Sequence, residues 1–222
     1  MIVRCDSGLC DRLRVMCSYY YYAKSINKQL QFDWRMNKFC NGHFLDVFEK
    51  IEGIDFLNTE DGKYFYAGNT PNINFFPTKF FIFNILKPKE KIKEKINENL
   101  KKLGKNFLSL HVRRTDQLLL REPHQITQYE DFFEFIKKNN DKKVFLATDN
   151  RVSQNIFLSY FKDKIYFTEE IVPSQELRQT SLETAVVDLF TCVESKSFMG
   201  TDCSGYTWFI ECYRKFYKQK IF

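Results

Sequence analysis

The chain has 222 residues, 44% of them hydrophobic, with 34 Lys and Arg against 28 Asp and Glu for a formal charge of +6. That supports one large or two small packed domains, and its cations are interleaved with acids instead of forming the aromatic-lined basic stripe of a nucleic-acid binder. The seven scattered cysteines form no C-x-x-C pair, which excludes a disulfide scaffold or a zinc cage and fits a reducing compartment.

The chain opens with a strand, "MIVRC", a polar turn "DSGLCD", a helix from Asp11 to about Ile26 and a second strand "QLQFDW", a β-turn-α-β order. Asp11 suits the first turn of a helix, and Gly8 is expected to supply unusual backbone angles in the turn before it. The four tyrosines at 19–22 cover a full helical turn, so core packing with one exposed member is expected. Residues 36–86, with turn-formers in "GNTPNINFFPTKF", read as loop-rich. The segment "KPKEKIKEKINENLKK" is a helix with a solvated charged face over about 88–103, capped by Gly104. It marks the boundary between an N-terminal half, 1–104, and a C-terminal half, 105–222.

From 106 the alternation is regular: strands "NFLSLHV", "KVFLATD", "KIYFTE" and "SFMG", with helices near 128–139, 151–161, 180–194 and 205–218. This predicts parallel βαβ units with helices on both faces of the sheet, an α/β fold whose ligands sit beyond the carboxyl ends of the strands. Those ends read "HVRRTD", "ATDN", "TEE" and "GTDCSG", all polar. Arg113 and Arg114 are planar cationic forks suited to a diphosphate. Ser204 and the backbone N–H groups of Ser204, Gly205 and Tyr206 open the last helix, where an anion is favoured. Gly8 is a candidate for further N–H groups toward the same anion, and His111 and Asp188 for base or ribose contacts.

Plainer roles fit some of these residues. The Arg-Arg-Thr-Asp run could be a salt bridge closed on itself at the sheet edge, and Thr148 and Asp149 could cap the helix that follows. His124 reads as a loop residue and His43 as an ordinary half-buried one. Asp188, inside the apolar "TAVVDLFTC", needs a partner. The three histidines are far apart, and neither D-x-D, H-E-x-x-H, a P-loop nor G-x-G-x-x-G occurs, so no metal or dinucleotide cofactor is expected. The chain shows no signal segment and no apolar run near the roughly 20 residues that cross a bilayer, so a soluble, cytoplasmic protein is expected.

"LHVRRTDQ" resembles the H-x-R-R-T-D-K signature of α1,6-fucosyltransferases, a family with kinship to Nod-factor and, more distantly, protein O-fucosyltransferases. The likeness continues through "HQITQYEDF", "VFLATDN" and "SLETAVVDLFTCVESKSFMGTDCSGYTWFIEC", and upstream through "GLCDRLRVMCSYYYYAKSINKQL", about two thirds of the chain. The resemblance implies a GT-B-like enzyme with two Rossmann-like halves and a nucleotide-sugar cleft between them. It would move fucose from GDP-fucose to a glycan hydroxyl, inverting the anomeric centre without a metal. Carried over by position, His111 and Asp188 would hold guanine, Arg113 and Ser204 the β-phosphate, and Arg114 and Asp116 the sugar-phosphate region. The chain departs from the pattern at Gln117, where the family has lysine, and at Cys203, where it has serine. The family's glutamate base has no match in register, leaving Glu122 as the candidate and Asp116 as the fallback. A transferase using another GDP-sugar, or a noncatalytic nucleotide- or glycan-binding module, would share most of these features.

Overall fold

The structure, a computed structural model, describes residues 1–57, 65–67, 70, 72, 80–116, 122, 125–173 and 179–217. It divides into two compact units, residues 1–89 with those from Lys215 onward, and residues 90–214.

The first unit holds a parallel sheet of β1 (Ile2–Arg4), β2 (Leu30–Asp33), β3 (Ile54–Leu57) and β4 (Phe65–Tyr66), in the order β3-β2-β1-β4. Between β1 and β2 runs α1 (Leu9–Ser25), its apolar stripe Leu9, Leu13, Met16 and Cys17 buried. All four tyrosines of 19–22 are half-buried, so none is the exposed member expected. Gly8 caps the start of α1 with φ −68° and ψ 172°, ordinary extended backbone, so the turn does not draw on glycine's special freedom. A short helix, α2 (Phe44–Val47), is started by His43, whose N–H donates to Asp46 Oδ2 at 2.9 Å. Most of "GNTPNINFFPTKF" lies outside the described residues.

The second unit begins with α3 (Glu90–Leu103), which is bound to elements that follow it. Lys91 and Lys95 donate to Glu183 at 2.7 and 2.5 Å, and Asn99 donates to Thr168 at 3.0 Å and Thr191 at 3.4 Å. The division therefore falls at 89/90, before the helix, whereas the charge pattern placed it after. Gly104 does end α3, with φ +77° and its N–H on Leu100 O at 2.8 Å.

The remaining elements are β5 (Leu108–Val112), α4 (Tyr129–Lys137), β6 (Val144–Thr148), α5 (Arg151–Phe161), β7 (Ile165–Tyr166), α6 (Leu182–Glu194), β8 (Ser197–Gly200) and α7 (Gly205–Tyr217). The sheet is parallel, ordered β7-β6-β5-β8, with His111 opposite Ala147 on one side and Gly200 on the other. Every residue of β5 and β6 is buried, as expected for central parallel strands covered on both faces. Leu108, Leu110, Val112, Val144 and Leu146 pack with Phe132, Ile136 and Phe157 from the helices. This core fixes where the strands stop, and the polar residues follow immediately.

Candidate functional site

Beyond Val112 the chain leaves the sheet, and hydrogen bonds from β6 and β8 hold it in place. Thr201, fully buried after β8, accepts the Arg113 N–H on its hydroxyl at 2.9 Å, while its own N–H and hydroxyl donate to His111 O at 2.9 and 3.0 Å. From β6, Thr148 donates its hydroxyl to Val112 O at 2.6 Å. Asp149 accepts the Arg114 N–H at 3.0 Å on one oxygen and the Thr115 hydroxyl at 2.6 Å on the other. Asp149 thus fixes the arginine loop; the cap of α5 is Asn150, whose side chain accepts the Ser153 N–H at 2.9 Å.

The two arginines part company. Arg113 is held by Asp116, with Nε and Nη2 on Oδ1 at 3.0 and 2.8 Å and Nη2 on Oδ2 at 2.6 Å, and its side chain is 20% exposed. The closed Arg–Asp pair read as an alternative in the sequence is therefore present. Its geometry orients the guanidinium through its Nε–Nη2 edge. Arg114 turns inward, bonding Thr127 O at 2.8 Å and Arg113 O at 3.1 Å and lying 4.4 Å from the centre of the Tyr129 ring. Two of its donors thus meet backbone carbonyls and its face is stacked on Tyr129, an arrangement that ties the loop to α4. Asp116, the fallback base, is taken up in the ion pair with Arg113. Glu122 is exposed, its backbone bonded to Gln125. Gln117 and His124 lie outside the described residues.

His111, in β5, bonds Thr207 Oγ1 through Nδ1 at 2.8 Å, and its ring lies tilted against Tyr206 with 4.5 Å between ring centres. Tyr206 in turn donates its hydroxyl to Ala185 O at 2.5 Å, tying the start of α7 to α6. Asp188 lies one turn further along α6. It is buried and accepts a hydrogen bond from the Thr168 hydroxyl. Burial is the main cause that pushes its carboxyl up from 3.8 to about 7, the charge of Glu169 adding to it and the Thr168 bond opposing it.

Between β8 and α7 the chain turns through Cys203 at φ +54°. Asp202 is anchored there, its carboxylate accepting the Thr127 hydroxyl and its N–H donating back to the same oxygen, both at 2.9 Å. Ser204 accepts the Trp208 N–H on its carbonyl at 3.0 Å as α7 starts at Gly205. Its Oγ is buried and has no hydrogen-bond partner among the described residues. A buried hydroxyl left unmatched costs roughly 1–3 kcal/mol, and this one stands where the N–H groups of a helix N-terminus favour an anion.

Sequence reading missed Thr127, Thr201 and Thr207, the hydroxyls that join these loops; single threonines at strand ends carry no pattern of their own. Among the described residues no group of three or more His, Cys, Asp and Glu could hold a metal ion, and no helix is long and apolar enough to cross a membrane.

No family model and no curated protein sequence matches the chain. Its structure does match solved ones. NodZ α-1,6-fucosyltransferase co-crystallised with GDP superposes with a TM-score of 0.65 at 17% identity, over 95% of this chain and 91% of that one. Fucosyltransferase NodZ from Bradyrhizobium gives 0.62 at 16% identity over 95% and 92%. POFUT1 in complex with GDP gives 0.63 at 12% identity over 96% and 94%. The chain therefore has the two-sheet α/β architecture of these GT-B-type fucosyltransferases along nearly its whole length.

Proposed function

We propose that the chain is a metal-independent, inverting glycosyltransferase that moves fucose from GDP-fucose to a glycan hydroxyl. The observation that carries this reading is the unpartnered Ser204 hydroxyl at the start of α7, on the same sheet edge as the oriented Arg113. Crystals of the similar NodZ enzyme were soaked with GDP-fucose, which supports the choice of donor.

In this reading Ser204, the N–H groups of Gly205 and Tyr206, and Arg113 hold the β-phosphate, with Asp116 keeping the guanidinium aimed. His111 and Asp188 take the guanine, the carboxylate accepting from its adjacent N–H donors. Arg114 and Asp149 position the loop and do not touch the donor. The N-terminal unit takes the acceptor. The acceptor oxygen attacks the anomeric carbon from the side opposite GDP, the carbon–oxygen bond to the β-phosphate breaks, and the acceptor proton passes to the Glu122 carboxylate. Charge on departing GDP meets a guanidinium and a helix N-terminus already in place, the kind of pre-aimed stabilisation that lowers such barriers most. The scattered cysteines, with no C-x-x-C pair, favour a reducing, cytoplasmic setting.

Purified protein incubated with GDP-fucose and a panel of glycans, with and without a chelator, tests this through GDP release and product mass. Transfer that survives the chelator is expected; absence of both transfer and GDP binding would contradict it. A second reading, a GDP-binding module without transfer, draws support from the ion pair that occupies Asp116, and tight GDP binding with no product on any acceptor would select it. Turnover with a different GDP-sugar in preference would reassign the donor.

A further inference from the structure

Four arginines and three aspartates gather where β1 and β2 end and α1 begins. Three pairs form among them: Arg4 with Asp6 at 2.8 Å, Arg14 with Asp11 at 2.9 Å and Arg35 with Asp33 at 3.1 Å. Arg12 has no carboxylate partner among the described residues, although its side chain is fully buried. Its Nε donates to Ser7 O at 2.7 Å and its Nη1 to Arg35 O at 2.5 Å, and its guanidinium lies 5.3 Å from the centre of the Trp34 ring. Its Nη2 is buried without a hydrogen-bond partner among the described residues, and so is Nη2 of Arg35.

An arginine cannot escape burial by losing its proton. A buried cation with no counter-charge is strongly disfavoured, and each of these two arginines keeps one donor unmatched among the described residues. They stand at the carboxyl ends of parallel strands, the edge where α/β sheets receive ligands. Arg35 has 22% of its side chain exposed, which brings the cluster to the surface.

We propose that this cluster is a binding site for an oxyanion, a carboxylate, sulfate or phosphate carried by a ligand, with the Nη2 groups of Arg12 and Arg35 as its donors. The ligand supplies the negative charge that the three aspartates, each already paired, do not. Two sources share that chemistry, an acidic group on the acceptor glycan and a phosphate of the nucleotide. The site rests on the first unit's residues alone, so it stands or falls separately from the donor assignment at Ser204 and Arg113.

The test follows the arginine Nε–Hε signals of ¹⁵N-arginine-labelled protein by NMR during titration with sodium sulfate, sodium glucuronate and GDP at constant ionic strength. Saturable movement of the Arg12 and Arg35 signals is expected, together with a loss of affinity of about tenfold in Arg35→Lys, which keeps a cation for Asp33 and removes the fork. If sulfate or glucuronate still binds at saturating GDP, the source is an acidic acceptor. If GDP moves the two signals and displaces sulfate, the source is the nucleotide. No saturable movement with any of the three, or unchanged affinity in Arg35→Lys, overturns the proposal and leaves Arg12 a cross-link between two loops. Failure of GDP to bind while sulfate or glucuronate binds here would sink the donor reading and leave this one standing.

Discussion

Thr207 stands against the Cα of Gly200 so closely that a Cβ there would lie 2.4 Å from its Cγ2 and 2.5 Å from its Oγ1. The same threonine holds His111 through Nδ1. Gly200→Ala must push Thr207 aside, so we expect a loss of roughly 1–3 kcal/mol in stability from overpacking and weaker GDP binding than in the parent. Denaturant unfolding and calorimetry on the same variant check both. A variant as stable as the parent would show that α7 yields without cost.

Ser204→Ala separates binding from folding. Because the hydroxyl has no partner, its removal should leave stability unchanged or slightly raised. A hydrogen bond to a charged phosphate is worth about 1.5–3 kcal/mol, so GDP affinity should fall roughly ten- to a hundredfold. Loss of stability with unchanged GDP affinity would return Ser204 to a structural role.

Asp188 makes an opposing pair of pH predictions. Its folded-state value near 7 is above the usual 3.8, so the folded protein holds a proton that the unfolded chain has released, and stability falls as pH rises between these values and levels off above 7. The penalty above pH 7 is about 4 kcal/mol by linkage. Asp188→Asn should therefore be more stable than the parent at pH 8, with the difference shrinking toward pH 4. Guanine binding needs the ionised form, so GDP affinity of the parent should weaken as pH drops below 7 and that dependence should vanish in the asparagine variant. Chemical denaturation and GDP titration across pH 5–8 measure the two.

Cys203 is the one exposed cysteine of the seven. Brief treatment of the native protein with iodoacetamide should add a single carbamidomethyl group there. It adjoins Ser204, so saturating GDP should slow the reaction. Equal rates with and without GDP would place the nucleotide elsewhere.

Much of the second unit was legible because buried parallel strands are continuous apolar runs that stop abruptly, as at Val112 and Thr148. The polar residues after them were legible as candidates but not in their orientation. Adjacent side chains in extended chain point to opposite sides, so of Arg113 and Arg114 one faces outward and the other meets Thr127 and Tyr129, a distinction the run of two arginines conceals. The division of the chain was misplaced because α3 shows its charges in sequence while its attachment depends on Glu183, 92 residues from Lys91. Arg12 went unnoticed although it interrupts the apolar stripe of Leu9, Leu13 and Met16, a pattern that marks a buried charge.

The central claim is that a diphosphate binds at the carboxyl edge of β5 and β8, on Arg113 and the start of α7. Isothermal calorimetry of GDP against the parent protein and Arg113→Ala tests it most directly. We expect one saturable site in the parent and affinity lower by about a hundredfold in the variant, with the circular dichroism spectrum unchanged. No GDP binding by the parent, or equal affinity in the two proteins, would contradict it.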